Sequence, residues 1–251
     1  MSATELVQKT QTSKPNRVQD AEPSTDKHMT NILPLKLRQL ETPEQQSDFE
    51  PMTQNQPLLV HEQPVFDVIR KRRSVGQVTQ EEPTREQIER MLEAATYAPS
   101  HHVTEPWRFI IITGTAREEF GNIMAASLSL RMEDRFSDKA RAQLMRERNK
   151  PLRAPVIITM AMVNFKEMKG IPIENIESAG AAVQNMLLAA EEMELATLWR
   201  TGDTAYDPMV KRWLGMTPED HIVGFIYVGF PKVTRPQRVP THFSQRTTWL
   251  S

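Results

Sequence analysis

Three uninterrupted apolar runs constrain the fold of this chain more than anything else in it. They are WRFIIIT at Trp107–Thr113, APVIITMAMVN at Ala154–Asn164 and HIVGFIYVGF at His221–Phe230. Each is short, continuous and rich in β-branched residues, which predicts buried strands. Between them the apolar period lengthens to that of a helix. Pro64–Arg73, PVFDVIRKRR, offers Val65, Phe66, Val68 and Ile69 as the apolar face of a short helix, ending in cations suited to a helix C-terminus. Thr84 and Gln87 form a capping-box pattern ahead of Ile88, Met91, Leu92 and Ala95 at helical spacing, and Pro99 ends that helix. Further helices are predicted over Ala116–Arg131, Glu174–Leu195 and Asp207–Leu214, with a short strand at Ala196–Trp199. The heavily charged Glu133–Lys150 reads as a solvated helix or a lid, and Pro231 onward as an extended tail. Helices and strands interleave without a regular βαβ beat. The expected class is therefore α+β, a central mixed or antiparallel sheet flanked by long helices.

Composition divides the chain. Residues 1–60 contain no glycine and only one aromatic residue, Phe49, and are rich in Gln, Thr, Pro, Glu and Ser. Such a segment buries too little apolar surface to offset its ordering entropy, so a disordered extension is predicted ahead of a folded domain over 61–251. Ile32–Leu40, ILPLKLRQL, is the one stretch of it that could dock. The absence of cysteine excludes disulfides, thiolate metal sites, iron–sulfur clusters and thiol nucleophiles. A net charge of −1 gives no broad case for nucleic acid or an anionic membrane. With no apolar run long enough to span a bilayer and no apolar N-terminal core, a cytoplasmic protein is expected.

Three stretches could carry chemistry. In RKRRS, Arg70–Ser74, guanidinium forks and a hydroxyl match phosphate oxygens, although the same pattern also serves as a charged helix end. APSHHVTEPWRF, Ala98–Phe109, is a polar loop fenced by Pro99 and Pro106. Its adjacent His101 and His102 have no partner at metal-ligand spacing, so no metal site is expected. LWRTGD, Leu198–Asp203, brings backbone amides, a hydroxyl and a glycine to a strand end. That suits either a ligand rim or a tight turn. No G-x-S-x-G, Walker loop or dinucleotide fingerprint is present.

Taken in order, RRS, APSxxxxxPWRF, APVIIT, ESAGAAVQNMLLAA, LWRTG and IVGFIYVGFP resemble the nitroreductase family, and within it the compact bacterial NAD(P)H nitroreductase-like branch with a WR(S/T)G segment. The resemblance covers Pro64 to Pro231. It implies a homodimer with FMN at the subunit interface, passing hydride from NADH or NADPH to a nitroaromatic, quinone or similar small acceptor by a ping-pong mechanism. No side chain then needs a catalytic role, because the isoalloxazine carries the redox chemistry itself.

By motif match, the resemblance implies that Arg72 and Ser74 hold the FMN phosphate and ribityl chain, with Arg73 assisting. Pro99, Ser100 and His101 would approach the ring from the opposite subunit, and Trp199, Arg200, Thr201 and Gly202 would line its far side. The small residues Ser178–Ala182 become a dimer-packing surface. Two departures bear on substrate scope and redox potential: where many relatives read Asn-x-Gln-Pro-Trp, this chain has Val103 and Glu105. Arg235 and Arg238 are the basic tail residues that could reach the phosphate. Two alternatives stay open. One is another flavin reaction on the same fold, namely flavin fragmentation, reductive dehalogenation or azoline oxidation. The other is a flavin-binding redox sensor without turnover.

Overall fold

A computed structural model describes residues 64–163, 170–234 and 238–250. The expected N-terminal extension, the Ile32–Leu40 segment and Arg235 lie outside the described residues. The chain divides between Gln56 and Pro57, and everything below concerns the second unit.

Four strands, β1 (Arg108–Ile112), β2 (Val156–Met162), β3 (Ala196–Arg200) and β4 (His221–Gly229), form one sheet in the order β1-β2-β4-β3. Every neighbouring pair is antiparallel. The central strands β2 and β4 are buried almost throughout, because helices cover both faces. Val156, Ile158, Met160, Ile226 and Val228 turn toward one core shared with α2 (Arg85–Thr96) and α5 (Pro172–Glu192). Ile157, Ala161, Phe225 and Tyr227 turn the other way, onto α3 (Ala116–Leu130) and α6 (Pro208–Trp213). The period-2 alternation of a strand thus appears as a choice between two cores, which is why the sequence shows continuous apolar runs. The small α4 (Asp138–Arg148) lies outside α3 and buries only Ala140, as a charged helix should.

Local signals hold where they were specific. Thr84 Oγ1 accepts from the Gln87 amide at 3.2 Å and the Thr84 amide donates to Gln87 Oε1 at 2.9 Å, completing the capping box. A β-bulge sits on β4, where Met160 pairs with Gly224 and Ala161 with Ile222, leaving Val223 extra.

Three expectations are corrected. β1 is not a buried strand but an edge strand, with Ile112 its only buried residue, because it pairs with β2 alone. Helix α1 (Pro64–Lys71) buries none of its residues, and Val65, Phe66 and Ile69 are 66%, 54% and 48% exposed. Of its apolar residues only Val68 is part-buried, beside the end of α5. Among the small residues of α5, Ser178, Ala179 and Ala182 face the chain's own core, so only Gly180 and Ala181 remain part-exposed on the outer side.

Candidate functional site

The RKRRS stretch leaves α1 and runs along the sheet. The Arg72 amide donates to the Val68 carbonyl at 2.9 Å, extending the last turn. Arg73 folds back, its Nη1 donating to the carbonyls of Arg70 at 2.7 Å and Arg72 at 2.6 Å. A cation at these otherwise unsatisfied carbonyls is the charged helix end read from the sequence. The Arg73 Nε is nonetheless buried without a partner. Arg72 is half-buried and forms no ion pair among the described residues, and Ser74 is exposed.

Ser74 makes an isolated parallel bridge to Thr197, and the Val75 amide donates to the Thr197 carbonyl at 2.9 Å. The chain then crosses the end of β4, where the Thr79 amide donates to the Phe230 carbonyl at 2.8 Å. RKRRS is therefore fixed against the start of β3, the strand that carries LWRTG. From Thr197 to Arg200 that strand advances about 10 Å at the usual rise per residue.

Trp199 and Arg200 project to opposite faces. The Trp199 Nε1 donates to the Val223 carbonyl, in the bulge, at 3.2 Å, and the pyrrole edge of the indole occupies the space a Cβ on Gly224 would need. Arg200 carries its guanidinium over the Tyr227 ring, 6.0 Å from the centroid. Gly202 takes φ 78°, a turn that a glycine adopts without strain, so the tight-turn reading of this segment also holds. Thr201 is exposed, and Asp203 pairs with Arg131 at 3.2 Å.

The fenced loop lies elsewhere. Ser100 Oγ accepts from the Glu105 amide at 2.8 Å, and Thr104 Oγ1 donates to Asn175 Oδ1 at 2.7 Å, fastening the loop to the first turn of α5. His101 Nε2 stands 3.3 Å from Glu174 Oε2, and His102 meets His101 edge to face. Among the described residues no three His, Asp or Glu converge as metal ligands would. His102, Val103 and Glu105 all have positive φ, of 54°, 53° and 43°. Each such non-glycine residue costs about 1–3 kcal/mol, and strain of this kind clusters at ligand clamps. Pro99, Val103 and Glu105 are exposed, and Glu105 forms no ion pair with Arg108 among the described residues. Arg238 is exposed in the tail.

Helix α5 separates the two stretches. Its 21 residues span about 30 Å. The loop is tied to Asn175 near one end, while Arg73 shares a 710 Å³ cavity with Glu191 and Leu195 at the other. One chain alone does not bring RKRRS and the fenced loop together. Thr104 and Asn175, the residues that hold the loop, carry no sequence signal, since their partnership spans 71 positions.

A model of the nitroreductase family matches residues 69–230. YdjA of Escherichia coli (strain K12), a candidate NAD(P)H nitroreductase, is 34% identical over 169 residues, covering 67% of this chain and 88% of YdjA. Among solved structures, a nitroreductase-like family protein from Bacillus cereus superposes with a TM-score of 0.64 at 24% identity, over 74% of this chain and 95% of that one. A candidate nitroreductase from Desulfovibrio desulfuricans, solved in complex with FMN, gives a TM-score of 0.58 at 26% identity, over 76% of this chain and 98% of its own.

Proposed function

The chain belongs to the nitroreductase family, and we propose that it is an FMN-dependent oxidoreductase working as a homodimer, drawing hydride from NADH or NADPH and reducing a nitroaromatic, quinone or similar small acceptor. The observation that carries this reading is the fastening of RKRRS to the strand that bears LWRTG. Arg72 and Ser74 stand at one end of that strand segment as phosphate donors, and Trp199–Gly202 stand about 10 Å along it as a rim. Beyond Thr197, β3 is an edge strand among the described residues, which leaves its outer backbone groups to a ring's polar margin. The partly buried Arg72 and the orphaned Arg73 Nε suit an anion at this end.

FMN supplies the hydride-accepting and hydride-donating chemistry. The chain's residues hold and orient it. The fenced loop belongs to the other half of each site. Because most of α5, about 24 Å from Asn175 to Glu191, lies between the loop and Arg73 in its own chain, the loop serves the site of the second copy. Several features support that assembly: the exposed Val65, Phe66 and Ile69 of α1, the exposed tail with Phe243, Trp249 and Leu250, and the open space outside Gly180. Among the described residues no helix is long and apolar enough to cross a membrane; a cytoplasmic location is part of the proposal.

An absorption spectrum with anaerobic NADH and NADPH titrations tests the function. The protein is expected to be yellow, to bleach with either nucleotide, and to recover its colour in air. A colourless protein that takes up no added FMN overturns the reading. Arg72→Ala is expected to weaken FMN binding by one to two decades, the worth of a charge-assisted contact of about 1.5–3 kcal/mol, while sparing riboflavin. Equal loss of both flavins would remove Arg72 from the phosphate site.

A further inference from the structure

Beneath the end of β3, on the α3 face of the sheet, lies a cavity of 250 Å³ that borders the proposed flavin rim and is walled by side chains the flavin reading leaves unassigned. Phe120, Met124, Phe225 and Tyr227 form its apolar walls, and Arg200 and Lys150 bring cations to it. We infer that this cavity binds a single-ring aromatic carboxylate.

Charge selects the anion. The Lys150 ammonium already holds Glu147 Oε2 at 2.5 Å, but Arg200 has no carboxylate partner among the described residues. A guanidinium fork takes both oxygens of a carboxylate at once. The walls select the rest of the molecule. Phe120 is fully buried, and its ring centroid stands 5.3 Å from that of Phe225 at 43°. Those two rings are already in contact, so a flat ring stands beside the pair, against the walls that Phe225 and Tyr227 present to the cavity. Size sets the limit. Pockets for drug-sized ligands begin at about 300 Å³, so this one admits a single ring and excludes a flavin or a dinucleotide.

Every wall comes from one chain, so the inference does not rest on the dimer or on flavin binding. Arg200 to Gly202 also belong to the proposed flavin rim, and the test must separate the two ligands. Benzoate is titrated calorimetrically into the purified full chain, before and after saturation with FMN. One benzoate per chain is expected in both states. Inorganic phosphate is not expected to displace it, because an anion without a ring gains nothing from the aromatic walls. No saturable uptake overturns the inference. So does stoichiometric displacement by FMN, which would assign the benzoate to the flavin rim.

Met124→Trp fills the cavity and is expected to weaken benzoate at least tenfold, and unchanged affinity in that variant overturns the site. If the variant fails to fold, methyl-labelled methionine in the unaltered protein decides. Benzoate is expected to shift the Met124 methyl resonance along the same saturation curve, and a resonance that stays put at saturation overturns the site. Lys150→Gln is expected to weaken benzoate three- to tenfold without altering flavin content.

Discussion

Adding one methyl group to β4 tests how the LWRTG segment is held. A Cβ on Gly224 would lie 2.0 Å from Trp199 Nε1, 2.5 Å from Trp199 Cδ1 and 3.0 Å from the Arg200 carbonyl oxygen. The first two distances are impossible, so in Gly224→Ala the indole must leave. It then loses its bond to the Val223 carbonyl, a term of about 0.5–1.5 kcal/mol. Forcing a side chain out of a packed position adds about 1–3 kcal/mol. The expected destabilisation is therefore about 1.5–4.5 kcal/mol, read from urea unfolding of the purified protein. The cause can be isolated by a double-mutant cycle with Trp199→Ala. Once the indole is gone, only the 3.0 Å contact to the Arg200 carbonyl remains, and Gly224→Ala should cost less than about 1 kcal/mol. Because Trp199 borders the proposed flavin rim, Gly224→Ala should also lower the flavin content of the purified protein. Equal costs in the two backgrounds, or a cost below about 1 kcal/mol with Trp199 present, would show that the indole is not what Gly224 accommodates.

Two more perturbations follow from the packing and the charge. In Gly121→Ala the new Cβ would stand 2.1 Å from the Arg148 carbonyl oxygen, which is backbone and cannot rotate away, so α3 and α4 must separate. Urea unfolding should show a loss of about 1–3 kcal/mol, with faster proteolysis in α4; a stability within about 0.5 kcal/mol of the parent would contradict the contact. Burial, opposed by Arg200 and Arg153, raises the Tyr227 phenol from 10.0 to about 12. The unfolded chain therefore ionises first. The stability from this group is complete below about pH 10 and is lost between about pH 10 and 12, on the order of 2–3 kcal/mol in all. Tyr227→Phe should flatten that alkaline decline, and an unchanged decline would place its origin elsewhere.

What the sequence disclosed follows the range of each signal. The capping box at Thr84, the helix over Ala116 and the strands around Ile158 and Ile226 depend on neighbours within a few positions, and they were legible. The edge position of β1 was not, because an apolar strand at an edge and one at the centre have the same composition. Nor could the sequence tell which small residues of α5 face inward, since the helix is apolar nearly all round and its period selects no face. At the candidate site the residue types were readable, but their holders were not. The ties from Thr104 to Asn175 and from Trp199 to Val223 join distant positions through a single bond each, and leave no periodic trace.

The separation that α5 imposes has a consequence in inheritance. If each dimer builds two sites from opposite halves, a lesion at Arg72 and a lesion in the fenced loop damage different halves. A cell carrying one gene of each kind would assemble some dimers from unlike chains. In such a dimer both injuries fall in the same site, and the other site is whole. Two inactive alleles would then restore activity to each other, whereas two lesions on the same side of α5 would not. The length of one helix would decide which mutations complement.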